Sequence, residues 1–226
     1  MHKVDNPPQE AGGHIVRHIQ ESTTPVLCLL AGGSALDIFA YITLDDEAKS
    51  RTIFMMGDER GSRERKIGNY TQLVDRYGAE ATTSVVDTSM SIGETLDQYS
   101  ARLSEIIRET IYKNQISSIV SIQGIGADGH TSSIFPMRND RFQETYEADG
   151  PYVPVRMKGL TIDSRASLTP SWLLNNVDLM IGYAIGDTKA AVIRRLLERT
   201  EYELHDMPAS LLTKHPNSHL YTDVLV

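Results

Sequence analysis

Short apolar runs alternate with amphipathic stretches along almost the whole chain. Val26 to Ala31, Thr52 to Met56, Ile116 to Ile122 and Asp178 to Ala184 have the length of strands, and their near-continuous apolar character suits burial on both faces. Between them, Ala11 to Glu21, Ala35 to Ile42, Gly68 through Tyr77, Pro170 through Asn176 and Ala190 to Glu198 read as helices. The longest helical stretch, Ile92 to Asn114, places Leu96, Tyr99, Leu103, Ile106, Ile107 and Ile111 on one face at helical spacing. Val85 to Asp87 is a weak strand, Tyr152 to Arg156 an edge strand because it contains Pro154, and His219 to Val224 a closing strand. Met137 to Gly150 reads as a polar surface excursion, and Met207 to Ser210 as a short helical turn. Alternation of this kind predicts an α/β fold: one domain over residues 1–226, with a doubly wound, mainly parallel sheet and helices on both faces.

The polar residues with chemical potential gather where the apolar runs stop. Ile116 to Ile122 leads into Gly124, Gly126 and Gly129, with Asp128 and His130 inside the turn. Thr131, Ser132 and Ser133 then supply hydroxyls at an expected helix start, which Pro136 limits to a short piece. In open α/β sheets the C-terminal edge of the strands is where ligands bind. Asp128 and His130 serving as turn caps would look the same in sequence. Gly124-x-Gly126-x-x-Gly129 also matches a dinucleotide fingerprint literally, but no full-length helix fits before Pro136 and no second strand with an acidic end follows at the required distance.

Two further junctions share the strand–glycine–helix layout. Gly32, Gly33 and Ser34 follow the first run directly, an arrangement that cradles phosphate on backbone N–H groups and a helix dipole. A plain βα turn has the same appearance, and the lysine of a P-loop is missing. Gly186-Asp187-Thr188-Lys189 puts a cation at a helix start, where it needs an anion or solvent beside it. The run Thr52 to Met56 ends in Gly57-Asp58-Glu59-Arg60, where Arg60 is either an anion-gripping fork or half of a surface pair. Gly61 to Lys66 is a basic loop carrying Arg63, Arg65 and Lys66, and Arg165 stands just ahead of Ser167 and Thr169.

Composition narrows the classes. The 226 residues are 40% hydrophobic and 23% charged, ordinary globular values. A net charge of −8, from 22 basic and 30 acidic residues, lacks the basic footprint of a nucleic-acid binder. Cys28, the single cysteine, lies in an apolar run and reads as a buried hydrophobe in a chain suited to a reducing compartment. The first residues carry no apolar signal core and no run has membrane-span length, so the expected location is cytoplasmic with no membrane partner. His2, His14, His18, His205, His215 and His219 have no carboxylate or cysteine partners at metal spacing, and no metal site is expected.

These motifs, taken in order, resemble the 6-phosphogluconolactonase family, within the broader group that also holds glucosamine-6-phosphate deaminase. Leu30 to Ser34, Gly57 to Arg60 with Asn69-Tyr70, and above all Gly124 to Pro136 carry the likeness. Arg165 to Thr169, Gly186 to Lys189 and Met207 to Ala209 match its weaker later motifs. The resemblance implies hydrolysis of 6-phosphoglucono-δ-lactone, a phosphorylated sugar lactone of the pentose phosphate pathway, without metal or cofactor, by a monomer or small homo-oligomer. It makes His130 the general base, Asp128 its orienting partner or a sugar ligand, and Arg60 a contact to the sugar or the developing oxyanion. Gly32, Gly33, Ser34, Arg165 and Lys189 would hold the phosphate. The loop after Arg60 departs from the family, being about one residue short, with Gly68 in place of a serine. The deaminases typically follow Gly-His with a segment containing an acidic residue, which Thr131 to Pro136 lacks. A catalytically silent sugar-phosphate sensor is the reading from a different class; retention of both Asp128 and His130 speaks against it.

Overall fold

The computed structural model describes residues 1–62, 64–148, 150–159, 162–198 and 201–225. Arg63 of the basic loop lies outside the described residues.

Six parallel strands form the main sheet: β1 (His2–Lys3), β2 (Val26–Leu30), β3 (Thr52–Met56), β5 (Ser118–Gly124), β8 (Leu179–Ala184) and β9 (Ser218–Thr222), in the order β1-β9-β8-β5-β2-β3. Within β2, side chains alternate between two cores. Val26, Cys28 and Leu30 join a layer with Ala11, Ile15 and Ile19 of α1 (Pro7–Glu21), while Leu27 and Leu29 face the other layer. That second layer holds Leu96, Tyr99, Leu103 and Ile107 of α4 (Leu96–Lys113), with Val192, Ile193 and Leu196 of α7 (Ala190–Glu198). The doubly wound architecture follows from this two-sided burial. Cys28 is fully buried, and burial pushes its thiol up to about 12, which leaves it an inert core residue.

A smaller antiparallel sheet stands beside the main one. The chain leaves β3, passes Gly57, and enters β4 (Asp58–Arg60), which pairs with β7 (Ser164–Leu168), itself paired with β6 (Tyr152–Arg156). Pro154 sits in β6 at the edge of this sheet, as its missing N–H requires. Alternation in the sequence does not reveal β4, because Asp58, Glu59 and Arg60 are polar.

Several boundaries differ from the sequence pattern for identifiable reasons. Helix α1 begins at Pro7, four residues before Ala11, since proline is tolerated in a first turn. The stretch after Gly32 is a 3₁₀ helix, Gly33–Tyr41, in place of an α-helix at Ala35 to Ile42. Ala35 and Ile38, three apart, are both buried, matching the three-residue period. Helix α4 starts at Leu96 because Thr95 and Gln98 form a capping box, leaving Ile92 outside the helix and in solvent. Ile116 lies just past the end of that helix, where its N–H donates to the Ile111 carbonyl, and not in a strand. Val85 makes only an isolated bridge to Phe54. The polar stretch Met137 to Gly150 contains a helix, α5 (Asn139–Tyr146), held by the two buried rings of Phe142 and Tyr146. The remaining helices are α2 (Asp46–Ser50), α3 (Asn69–Ala81), α6 (Pro170–Asn176) and α8 (Leu211–Lys214).

Three histidines that look isolated in sequence meet on the far edge of the sheet. His2 Nε2 lies 3.0 Å from His219 Nδ1, and the His14 ring meets that of His219 edge-on at 4.5 Å. His14 Nδ1 is 2.8 Å from the Tyr221 hydroxyl. Burial first, then the neighbouring charges of His219, Arg17, His2 and His18, depress His14 from 6.5 to about 4. A proton therefore binds His14 more readily in the unfolded chain. This contribution to stability is present above pH 6.5 and is lost as pH falls toward about 4. We expect the urea midpoint to drop between about pH 7 and about pH 5, and to drop less in His14→Gln. Equal drops in both proteins would show that His14 is not the titrating group.

Candidate active site

The strand order places the site. β2 is followed by β3 on one side, whereas β5 is followed by β8 and β9 on the other, so the connections diverge between β2 and β5. At such a switch point the loops leave in opposite directions and open a crevice beyond the strand ends. A cleft of about 240 Å³ lies there, walled by Gly32, Gly33 and Ser34 after β2, by Gly126, His130 and Ser132 after β5, and by Lys189 after β8. The second sheet adds Asp58, Arg60 and Arg165, and the start of α3 adds Asn69. Of the eight residues singled out from sequence, seven line this one cleft. The eighth, Asp128, stands behind His130. Lys189 and Arg165, far apart in sequence from Ser34 and His130, share their cavity.

His130 is held by its own turn. Asp128 Oδ1 lies 2.6 Å from His130 Nδ1 and also accepts the His130 backbone N–H at 3.1 Å. Burial opposes ionisation of Asp128, but the hydrogen bonds and charge of His130 outweigh it and hold the carboxyl below the usual aspartate range. With Nδ1–H donating to Asp128, the neutral ring carries its lone pair on Nε2. The turn needs its glycines for two distinct reasons. Gly129 has φ of +90°, in the left-handed region. Gly126 passes so close to the pair that an alanine Cβ would fall 2.1 Å from His130 Nδ1 and 2.6 Å from Asp128 Oδ1.

The hydroxyls after His130 do not begin a helix. Thr131 and Ile134 exchange backbone hydrogen bonds at 3.2 and 2.8 Å, closing a tight turn in which Ser132 takes φ of +50°. Gln123, a fully buried polar residue near the end of β5, stabilises this turn: its Oε1 accepts from the Thr131 and Ser132 hydroxyls, both at 2.9 Å. Ser133 donates to Asp58 at 2.6 Å, linking the turn to the second sheet. The same turn explains why the glycine pattern is no dinucleotide fingerprint, since no helix follows Gly129 to receive a pyrophosphate.

The second sheet brings two guanidiniums to the same cleft. Arg60 and Arg165 are cross-strand partners in the β4–β7 pair. The Nε atoms of both are buried without a hydrogen-bond partner, as is Asn69 Oδ1. Burial lowers Arg165, offset in part by Asp58, and Phe135 lies under its guanidinium at 5.4 Å. Unsatisfied buried donors of this kind are uncommon and point to a ligand that completes them. The cleft and its supports also include Asp58, Asn69, Gln123 and Ser132, to which the sequence alone assigns no site role. Asn69 and Asp58 lay inside quoted motifs, and Gln123 was legible as a polar residue at the end of an apolar strand.

A doubly wound fold with a cation-lined cleft and an acid–imidazole pair at its switch point defines an α/β protein whose site suits an anionic ligand. The chain belongs to the family described as glucosamine-6-phosphate isomerases/6-phosphogluconolactonase, whose model matches residues 9–221. It is 28% identical to human 6-phosphogluconolactonase over 142 residues, which is 60% of this chain and 49% of the human protein. That match spans only about half the length of this relative. Among solved structures, a 6-phosphogluconolactonase from Shewanella baltica superposes with a TM-score of 0.78 at 20% identity, covering 97% of this chain and 95% of that one. A monomeric glucosamine-6-phosphate deaminase gives 0.69 at 16% identity, covering 95% and 92%. At these identities the structural likeness establishes the fold.

The Gly126→Ala variant should retain the fold and lose the Asp128–His130 contact, since the added methyl occupies the ring's position. A crystal structure of the variant checks this, and any turnover that depends on His130 should fall about 10²-fold. A contact still at hydrogen-bond distance would show that the backbone yields instead.

Proposed function

We propose that this protein hydrolyses 6-phosphoglucono-δ-lactone to 6-phosphogluconate. The observation that carries the reading is the Asp128–His130 pair at 2.6 Å, whose imidazole lines the same cleft as Arg60, Arg165 and Lys189. Asp128 orients the ring, and Nε2 removes a proton from water as it attacks the lactone carbonyl. The tetrahedral oxyanion then collapses with release of the ring oxygen, which takes the proton back from the imidazolium. The product is the open hydroxy acid, which ionises. A δ-lactone is an activated ester, so a positioned water and a base suffice, with no call on a metal or cofactor. Donors aimed at the oxyanion add to this, and Arg60 is assigned to that part.

Gly32, Gly33, Ser34, Arg165 and Lys189 are assigned to the phosphate, whose charge supplies remote binding energy for orientation. Arg60 and Arg165 stand side by side, so the phosphate and oxyanion regions adjoin along β4 and β7. The turn after His130 offers hydroxyls and no carboxylate, which favours lactone hydrolysis over deamination. Nothing in the reading requires a nucleic acid, a membrane or a protein partner. Among the described residues no helix is long and apolar enough to cross a membrane.

Freshly prepared 6-phosphogluconolactone, corrected for its spontaneous opening, should release acid rapidly with the parent protein. His130→Ala should lower kcat by about 10²–10⁴-fold, and Lys189→Ala should chiefly raise KM. kcat/KM should fall on acidification, because a general base acts only in its unprotonated form. A flat profile would exclude a histidine base, and ammonia release from glucosamine-6-phosphate would replace this reading with the deaminase one.

A further inference from the structure

Glu59 is fully buried, lies between two cleft residues on β4, and has no part in the chemistry above. Its carboxylate is nevertheless completely engaged. Oε2 accepts the N–H of Arg60 at 3.1 Å and the N–H of Asn69 at 2.7 Å. Oε1 accepts the N–H of Tyr70 at 2.7 Å and the hydroxyl of Thr88 at 2.8 Å. Arg60 and Asn69 flank the loop at 61–68, so a single oxygen atom clasps both of its ends.

Helix α3 has Gly68 at its N-cap and no side-chain cap of its own, so Glu59 supplies the missing acceptor, and the helix dipole favours its charge. Capping alone does not explain the cost. A serine or aspartate at the N-cap position would serve from the surface, whereas an interior carboxylate must be desolvated. Burial drives Glu59 up to about 7 in spite of four hydrogen bonds that favour the ionised form. What the buried position adds is reach to both the strand and the helix. Arg60 and Asn69, the residues so joined, both line the cleft. Asn69 Nδ2 is committed to the Asp58 carbonyl at 3.0 Å, which fixes Oδ1 as the atom without a partner. In a cleft rich in cations and N–H donors, that oxygen is an acceptor suited to a sugar hydroxyl.

We propose that Glu59 is a positioning residue for the lactone site, holding Arg60 and the Asn69 carbonyl oxygen in fixed register on one wall, with Asn69 selecting a hydroxyl of the sugar. The proposal rests on the lactonase reading and deepens it. Glu59 never meets the substrate; its effect passes through the two residues it holds.

A double-mutant cycle on the intact protein tests this. Glu59→Gln keeps the shape and replaces one acceptor oxygen with a donor, and it should lower kcat/KM for 6-phosphogluconolactone about tenfold. In an Asn69→Ala background the same change should cost only about threefold, because part of its route is already gone. Thr88→Val removes one donor while leaving the carboxylate in place, and should lower kcat/KM by about threefold. It carries the test if Glu59→Gln does not fold. Parent-like kinetics in either variant overturns the proposal, as does a full Glu59→Gln cost in both backgrounds, which would mark a purely structural role. A parent that does not open the lactone sinks the lactonase reading alone. The same cycle is then read as calorimetric affinity for 6-phosphogluconate, with the same non-additivity expected, and a parent that does not bind it overturns both.

Discussion

A sheet buried on both faces has no room for unsatisfied polar side chains, and that constraint organises this molecule. Every residue of β2 and β8 is buried, so the strands of the main sheet can carry almost no chemistry along their length. Polar function is displaced to the strand ends. Parallel pairing then puts all C-terminal ends on one edge, and the divergence between β2 and β5 opens that edge into a cleft. Three glycine junctions distant in sequence become neighbours without any long-range contact among their side chains being needed.

The exceptions are informative. Ser121 and Gln123 are polar and fully buried within β5. They form a chain in which Gln123 Nε2 donates to the Ser121 hydroxyl at 2.8 Å and Oε1 receives Thr131 and Ser132. A buried polar network is tolerable only when its members are satisfied, and the turn that satisfies this one has Ser132 in the left-handed region. The main sheet therefore gives up two apolar positions to hold the turn that carries His130. Glu59 plays the corresponding part in the second sheet.

The sequence made the main sheet legible because its apolar runs are bounded by glycine and proline. It made the glycine junctions legible because strand, glycine and helix follow one another within a few residues. The second sheet was hidden for the same physical reason it matters. β4 consists of Asp58, Glu59 and Arg60, whose two carboxylates find their partners through contacts set by the fold, so no period of two appears. Helix α5 escaped notice because only Phe142 and Tyr146 anchor it. The turn at Thr131 to Ser133 was mistaken for a helix start because the hydroxyls that suit an N-cap equally suit a side-chain acceptor such as Gln123, and local sequence does not distinguish the two. Asn69 was visible as part of a motif, but its role depends on which atom of its amide is left over, a fact that only the Asp58 carbonyl decides.

Charge illustrates the same separation between what composition fixes and what the fold fixes. A chain with a net charge of −8 repels anions at long range. Screening by physiological salt confines that repulsion to within about 8 Å of the surface charges, whereas groups inside a cleft act through a lower dielectric at contact distance. Arg60, Arg165 and Lys189 are brought to one wall system against the single buried carboxylate of Asp58, which is itself occupied by Ser133. Inside the cleft, local surplus therefore overrides global deficit.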